Sequence, residues 1–361
     1  MNATQELHKS GQSLWLDNIT RGLLNSGTLE TYIRDCSVTG LTSNPTIFDH
    51  AIKNSHDYDD AIDRKLKEGK SGEALFFELA LEDLRKAADL FRPIHDRTNG
   101  VDGWVSLEVS PALAHDSVRT LAAAKELHAR AARPNLFIKI PGTEEGLAAI
   151  EEAIFEGVPV NVTLLFSAAQ YLAAADAYLR GIERRIAAGL NPAVGSVASM
   201  FISRWDVAVN DKVPESMRDK LGIAVAGQTY KAYRNLTESP RHERLLNEGA
   251  CRQRLLWAST GTKDRKASDT LYVKALAVPC TINTMPEKTL KAFADHGEFE
   301  LTLSAQGQTC EAVANAFSMV GIDTDLLAAQ LQMQGAEGFS KSWNELISCI
   351  ASKGVKVKKA S

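Results

Sequence analysis

Residues 135–143 read NLFIKIPGT, an apolar run of strand-forming residues that carries a lysine near its centre. Lys139 stands between two isoleucines, and Pro141 and Gly142 end the run. Burying an unpaired ammonium is costly, and lysine is almost never fully buried without a partner. The position of Lys139 is therefore the feature of this sequence that first needs an explanation.

Seven further β-rich runs alternate with helical segments along the chain, which favours parallel βα units. Eight such units close most economically into a barrel. A doubly wound open sheet is the competing architecture, but its G-x-G-x-x-G fingerprint does not follow the first strand. The sequence thus predicts an α/β protein with a (β/α)8 barrel. The other runs are LWLDNI (14–19), VTGLTSNP (38–45), GWVSLEVSP (103–111), VPVNVTLLFS (158–167), AVGSVASMF (193–201), RQRLLWAST (252–260) and CTINTMP (280–286).

Two helical additions interrupt the simple alternation, within a single domain predicted over residues 1–361. One is a helical insertion after the second strand, at about 47–99, and the other is a helical C-terminal extension at about 286–361. We expect the last helix to run from about Asp325 to Lys353 and to end at Gly354. The insertion carries an apolar stripe at helical spacing that predicts core packing, formed by Phe77, Leu81, Leu84, Ala88 and Phe91.

Helix boundaries have their own local signals. Ser167 and Gln170 form a capping-box sequence, and Gly189 predicts the end of the helix that this box begins. Glu144 and Glu145 follow Thr143, in a first turn where the helix dipole favours acidic side chains.

Composition and charge exclude several classes of function. The net charge is −4, which gives no electrostatic reason to expect nucleic acid or an anionic membrane as a partner. The five cysteines are scattered without a C-x-x-C pair, so they indicate reduced thiols and no zinc site. The first residues lack the apolar core of a signal peptide, which favours a cytoplasmic protein. These features do not separate a monomer from a homodimer.

The alternation of side chains along each strand gives Lys139 a context. In the runs at 14–19, 103–111, 135–143 and 158–167, one face is aliphatic and the other carries the polar residues. In a barrel the aliphatic faces pack on the helices, so the polar faces point inward near the C-terminal mouth. Taken singly, each residue has a structural explanation: a snorkelling lysine, an aspartate in a turn, or a Glu108–Lys139 ion pair. Their shared parity instead favours a functional site formed by Asp17, Glu108, Lys139, Asn161 and Thr163.

Such a site has a definite chemistry. A lysine held among apolar side chains favours its neutral, nucleophilic amine, which attacks carbonyl groups to form Schiff bases. A Schiff base withdraws electrons and so permits carbon–carbon bond cleavage, provided that an acid and a base manage the proton transfers. Asp17 and Glu108 supply the two carboxyl groups. Nothing in the sequence calls for a metal or another cofactor, since the eight histidines are dispersed.

Five motifs together resemble the transaldolase family: LWLDNI, GLTSNPTIF, SLEVSP, FIKIPGT and NVTLLFS, in the family's order and at comparable separations. The resemblance extends from about Leu14 to Pro286. It implies an α/β barrel that needs no cofactor. It also implies transfer of a dihydroxyacetone unit from a ketose phosphate to an aldose phosphate, in the pentose phosphate pathway. A fructose-6-phosphate-type aldolase and a non-catalytic barrel that binds sugar phosphates are the alternatives.

The resemblance also implies a role for individual residues. Lys139 resembles the Schiff-base lysine, and Asp17 resembles the acid/base that deprotonates the C4 hydroxyl of the substrate. Glu108 and Thr163 resemble the pair that holds the catalytic water. Positions that correspond to ligands of the dihydroxyacetone hydroxyls are Thr42, Asn44, Asn161 and Ser199.

This sequence matches only one of the two phosphate-binding positions that are typical of the transaldolase family. In SMFISR, Ser199 and Arg204 have the family's five-residue spacing, so Arg204 resembles the phosphate anchor. Many members place a second arginine just after the seventh strand. Here that segment reads WASTGTKDRKASD, in which Lys263 is the candidate substitute, with Arg265 behind it. A solvated loop lysine explains Lys263 equally well.

Overall fold

A computed structural model of the chain describes residues 1–300 and 308–360. Eight parallel strands form a closed barrel, in which each strand pairs with the next and the last pairs with the first. This closed order confirms the predicted (β/α)8 barrel and rules out the open doubly wound sheet. The strands are β1 (Ser13–Asp17), β2 (Val38–Thr42), β3 (Val105–Glu108), β4 (Leu136–Pro141), β5 (Val160–Leu165), β6 (Ser196–Phe201), β7 (Arg254–Ala258) and β8 (Ile282–Met285).

Helices surround the barrel and continue beyond it at both ends of the chain. The first half of the chain contains α1 (Ala3–Lys9), α2 (Arg21–Asn25), α3 (Thr28–Asp35), α4 (Pro45–Lys53), α5 (Asp59–Lys67), α6 (Gly72–Arg97), α7 (Ser117–Ala131), α8 (Glu144–Phe155) and α9 (Ala168–Ala187). The second half contains α10 (Ser203–Val209), α11 (Leu221–Thr237), α12 (Pro240–Asn247), α13 (Leu271–Ala275), α14 (Glu287–His296), α15 (Gln308–Met319) and α16 (Thr324–Ala360).

Three helices, α4 to α6, lie between β2 and β3, where a simple barrel has one. All members of the predicted apolar stripe are buried on α6, with exposed fractions from 0% to 7%. The predicted stripe is therefore confirmed as core packing.

The predicted helix boundaries around α8 and α9 are confirmed. The Thr143 side chain accepts a hydrogen bond from the backbone N–H of Gly146, and the Ser167 side chain accepts one from the backbone N–H of Gln170. The Gln170 side chain accepts from the backbone N–H of Phe166, one residue before the position of an ideal capping box. Beyond the end of α9, Gly189 has a φ of +68°, the left-handed conformation that closes many helices.

Aromatic side chains and one buried carboxylate form the floor of the barrel, below the polar residues. The rings of Trp104 and Phe137 stack with centroids 3.9 Å apart, and Trp15 donates to Asp102 Oδ1 over 2.7 Å. Ser13 also donates to Asp102. A Cβ at Gly40 would lie 2.7 Å from the Trp15 ring, so only glycine fits there. The inward parity predicted for these strands is thus correct at this end of the barrel.

The alternation fails at one position in β5. Leu164 has a φ of +60°, and the pairing of β5 with β6 shifts register between Val162 and Leu165. Leu165 therefore lies beside Val162 against Gly142, whereas the Leu164 side chain reaches Gly335 of α16. The sequence parity put Leu164 on the outer face and Leu165 on the inner face, and both assignments are wrong because the left-handed residue reverses the alternation.

The last helix is longer than the sequence predicts. α16 continues through Gly354 to Ala360, so the predicted helix end at Gly354 is wrong. A Cβ at Gly354 would lie 2.7 Å from Leu66 Cδ1, which shows that this glycine permits close packing against α5. Residues 301–307 and Ser361 of the predicted C-terminal extension lie outside the described residues.

α16 folds back over the insertion helices and the barrel. The Trp343 ring contacts Phe76 of α6 with centroids 4.9 Å apart, and Thr46 of α4 donates to Ser342 over 2.9 Å. Over the described residues, no single helix has the length and apolar character to cross a membrane; the sharply bent pair Thr309–Met319 and Thr324–Val355 passes on length and composition alone.

Replacing Asp102 with alanine should lower the free energy of unfolding by ~2–4 kcal/mol, because Trp15 and Ser13 lose a buried acceptor and Arg254 loses a nearby carboxylate. Urea unfolding monitored by tryptophan fluorescence measures the change. Asp211→Ala is the matched control, since that side chain is 99% exposed. Equal stability of the two variants would show that the floor does not depend on the Asp102 carboxylate.

Candidate active site

The polar residues predicted to point inward converge at the C-terminal mouth of the barrel. Strand register brings them there: Glu108 pairs with Lys139 across β3 and β4, and Lys139 pairs with Asn161 across β4 and β5. On the other side, Asp17 pairs with Thr42 across β1 and β2. Adjacent strands therefore align these side chains into a partial ring around the interior.

Lys139 and Glu108 form a buried pair at the centre of this ring. Lys139 Nζ lies 3.3 Å from Glu108 Oε2 and donates to the backbone carbonyl of Ser43 over 3.1 Å. Both residues are only 5% exposed. The ion pair considered as a structural explanation from the sequence therefore exists, and it lies at the mouth where barrel enzymes carry their chemistry.

Burial raises the pKa of Glu108 above its ordinary value, against the opposing effect of Lys139. The nearby Asp17 carboxylate acts in the same direction as burial, and Arg204 acts against it. A carboxyl group with a raised pKa that touches an amine can take up the amine's proton at a smaller free-energy cost. The contact can thus supply the neutral amine that nucleophilic attack requires.

Asp17 ends β1 and is partly buried at the mouth. Burial raises its pKa, while the Thr42 hydroxyl opposes the shift by donating to Asp17 Oδ1 over 2.7 Å. The positive charges of Lys139 and Lys263 act in the same sense as Thr42. Thr284 of β8 makes a 2.7 Å hydroxyl contact with Thr42 and so extends this network. The arrangement holds a second carboxyl group that is suited to acid/base work.

A hydrogen-bonded chain crosses the interior beside Lys139. Ser199 of β6 donates to Asn161 Oδ1 over 2.7 Å, and Asn161 Nδ2 donates to Ser106 Oγ over 3.1 Å. All three side chains are buried. The chain fixes the orientation of the Asn161 amide next to Lys139, as a residue that orients a substrate hydroxyl requires.

Thr163 and Asn44 complete the set of small polar residues. The buried Thr163 hydroxyl makes no hydrogen bond to any residue that the structure describes. A buried polar atom of this kind needs an explanation, and a bound water or substrate group supplies one. Asn44 has a structural task, because its side chain caps α4 by accepting from the backbone N–H of Ile47. This bond uses the Asn44 Oδ1, and the Nδ2 donors make no hydrogen bond to the residues that the structure describes.

The two predicted phosphate-binding residues differ in environment. Arg204 lies in the first turn of α10, partly buried, and burial lowers its pKa against the opposing charge of Glu108. Lys263 is exposed in the loop after β7. Its charge nevertheless acts on Asp17, which places it on the mouth side of the barrel. Arg204 is thus built into the site, whereas Lys263 borders it.

Sequence reasoning missed several residues of the mouth. Ser106 and Thr284 lie on inward-facing strand positions, so strict use of parity would have found both. Phe339 of α16 had no such signal: its ring centroid is 6.0 Å from Lys139 Nζ, although the two residues are far apart in the sequence. Only the folding of α16 over the mouth brings Phe339 there.

Comparison with known proteins gives a consistent result. A family model described as transaldolase/fructose-6-phosphate aldolase matches residues 14–350. The chain is 44% identical over 353 residues to a transaldolase of Saccharopolyspora erythraea, with 96% of each chain covered. A transaldolase of Thiobacillus denitrificans is 42% identical over 358 residues, covering 97% of this chain and 100% of that protein. These matches confirm the resemblance inferred from the strand motifs.

Thr42→Val should raise the pKa of Asp17 further, because the lost hydroxyl donates to the ionised carboxylate and thereby favours it. The ¹³C chemical shift of the Asp17 carboxyl, followed over a pH titration and assigned with Asp17→Asn, measures the pKa. Thr39→Val is the matched control, because the Thr39 hydroxyl on the same strand donates to the Leu14 carbonyl instead. An unchanged or lowered pKa in Thr42→Val would contradict the cause assigned here.

Proposed function

The chain belongs to the transaldolase/fructose-6-phosphate aldolase family and is an enzyme of the transaldolase type, and we propose that its Schiff base forms on Lys139. The observation that supports this assignment is the position of Lys139 at the barrel mouth, buried and 3.3 Å from Glu108. The proposed substrates are sugar phosphates. The donor is sedoheptulose 7-phosphate or fructose 6-phosphate, and the acceptor is glyceraldehyde 3-phosphate or erythrose 4-phosphate.

The proposed reaction begins at the ketone of the donor. The neutral Lys139 amine adds to C2, and loss of water from the carbinolamine gives a protonated imine. Asp17 then removes the proton of the C4 hydroxyl, and the C3–C4 bond breaks. Its electrons pass into the imine to form an enamine, while an aldose phosphate leaves. The enamine carbon attacks the acceptor aldehyde, Asp17 returns the proton to the new hydroxyl, and hydrolysis of the imine releases the product ketose.

Glu108 and Thr163 are proposed to hold the water that leaves and re-enters at the imine. Glu108 contacts Lys139 directly, and its raised pKa suits a group that both donates and accepts a proton. The Thr163 hydroxyl has no partner among the described residues, so it is free to bind that water. In the strand register, Thr163 lies two residues beyond Asn161, the partner of Lys139, and therefore on the same face of β5.

The remaining site residues are proposed to bind the substrate along its length. Thr42, Asn161 and Ser199 are buried at the mouth and orient the dihydroxyacetone hydroxyls. Asn44 is proposed to join this group through its Nδ2 donors, because the cap of α4 uses only its Oδ1. Arg204 is proposed to bind the phosphate, with Lys263 as a second, more exposed cation.

We further propose that the whole chain works as one barrel domain in the cytoplasm. Its helical insertion at about 47–99 and its C-terminal extension at about 286–361 pack on each other through Trp343 and Phe76. The extension also places Phe339 over the site. A monomer and a homodimer both remain compatible with this arrangement.

Borohydride reduction in the presence of fructose 6-phosphate should attach one three-carbon unit to Lys139, because reduction traps the imine after C3–C4 cleavage. Peptide mass mapping locates the adduct. Lys139→Met should give no adduct, whereas Lys212→Met, which removes an exposed lysine, should still be labelled at Lys139. An adduct at another lysine of the intact protein would sink the proposed mechanism.

Transfer and simple cleavage differ in their need for an acceptor. With fructose 6-phosphate alone, we expect dihydroxyacetone to appear ~100-fold more slowly than the donor is consumed when erythrose 4-phosphate is added. Release requires protonation of the enamine carbon before the imine is hydrolysed, whereas an acceptor aldehyde reacts with that carbon directly. A ~100-fold ratio corresponds to a difference of about 3 kcal/mol in activation free energy. A coupled enzyme assay of dihydroxyacetone against an assay of sedoheptulose 7-phosphate measures both. Comparable rates would assign the aldolase activity that the family description also names.

A further inference from the structure

α16 presents one face to the mouth of the barrel. Gln332, Gly335 and Phe339 follow one another at spacings of three and four residues, which places them on the same side of the helix. Gln332 Nε2 donates to the carbonyls of Gly142 and Leu164, over 2.9 and 3.0 Å. These two hydrogen bonds fix the face of α16 against the rim formed by the ends of β4 and β5.

Arg204 lies under this face beside two aromatic rings, Phe201 and Phe339, whose centroids are 6.4 Å apart. Its Cζ is 5.0 Å from the ring centroid of Phe201 on β6 and 5.7 Å from that of Phe339 on α16. Among the side chains of residues 1–300 and 309–355, its guanidinium has no hydrogen-bond or ion-pair partner; Glu108 acts on it only as a nearby charge. Cation–π contacts therefore orient the group, and its N–H donors stay available for a ligand.

Gly335 brings the backbone of α16 up to the same guanidinium. A Cβ at Gly335 would lie 3.1 Å from Arg204 Nη1 and 2.9 Å from Leu164 Cδ2. Gly338, three residues on, is exposed and would have nothing within 4 Å of its Cβ. Glycine is a poor helix former, so its presence inside a helix needs a reason. Close packing against Arg204 and Leu164 supplies that reason at Gly335 but not at Gly338.

We propose that Phe339 and Gly335 are positioning residues for Arg204, and that α16 thereby sets the preference for phosphorylated substrates. Bidentate recognition of phosphate depends on the plane and direction of the guanidinium. The contact with the Phe339 ring restricts the positions that the guanidinium can adopt, and the bare backbone at Gly335 leaves room for one of its nitrogens. This inference rests on the proposed role of Arg204 as the phosphate anchor.

The test compares a phosphorylated acceptor with its unphosphorylated analogue. The measured quantity is the ratio of kcat/KM for erythrose 4-phosphate to kcat/KM for erythrose, with fructose 6-phosphate as donor. Because donor and acceptor react in separate half-reactions through a covalent intermediate, the acceptor value is independent of the donor. Phe339 also lies 6.0 Å from Lys139 Nζ, and an effect on the lysine would change both values equally and cancel in the ratio.

Phe339→Leu keeps an apolar side chain of similar size but removes the ring, and Gly335→Ala adds the Cβ that meets Arg204. We expect Phe339→Leu to lower the ratio about fivefold or more, the effect of losing a partly buried cation–π contact. Gly335→Ala should also lower the ratio, because its Cβ displaces the Arg204 guanidinium. Phe339→Tyr, which retains the ring, should keep the ratio of the unmodified enzyme. Gly338→Ala is the matched control: it makes the same change on the same helix, and it should leave the ratio unchanged.

Arg204→Ala tests the phosphate-anchor role of Arg204 separately from its positioning by Phe339 and Gly335. If Arg204→Ala lowers the ratio while Phe339→Leu and Gly335→Ala stay within about twofold of the unmodified enzyme, the positioning inference is overturned and the role of Arg204 stands. If Arg204→Ala leaves the ratio unchanged, the phosphate-anchor role fails and the inference fails with it. Labelling of Lys139 by borohydride in each variant shows that the catalytic half of the site is intact.

Discussion

The buried contact between Lys139 and Glu108 is the interaction on which the rest of the site depends. Taking an amine and a carboxyl group out of water is costly, and the cost is reduced when the two share a proton and each has further polar neighbours. The Ser43 carbonyl gives Lys139 a second acceptor, and burial raises the pKa of Glu108. The barrel therefore holds, next to the lysine that we propose as the nucleophile, a carboxyl group that is suited to exchange protons with it.

The two ends of the barrel interior differ in character: the floor is packed with aromatic rings, and the mouth is lined by polar side chains. At the floor, Trp15, Trp104 and Phe137 fill the space, and Asp102 is paired with hydroxyl and indole donors. At the mouth, the inward residues are polar, and they include the charged groups of Glu108 and Lys139. α16 then covers that mouth with Phe339. The packed floor gives the barrel a rigid base. The polar groups lie at the C-terminal end, where barrel enzymes have their active sites.

Features that depend on residues close together in the sequence could be predicted, whereas features that depend on tertiary contacts could not. All eight strands and the inward parity of Asp17, Glu108 and Lys139 could be predicted, because alternation within a strand is a local property. The prediction failed where a tertiary contact overrides the local pattern. A glycine is typical of a helix end, but Gly354 lies within α16, where the absence of a side chain allows close approach to Leu66. Leu164 breaks the alternation because β5 shifts register at the rim.

The sequence by itself determined the barrel and the family, because both are encoded in short motifs that can be recognised without knowledge of the fold. It also suggested the Schiff-base chemistry that we propose for Lys139. Only the tertiary structure decided which side chains hold those groups in place. Glu108 touches Lys139 because strand register pairs them, and Phe339 reaches Arg204 because α16 folds back across the chain. Contacts between residues so distant in sequence arise from packing of complete elements, and no local pattern of residues specifies them.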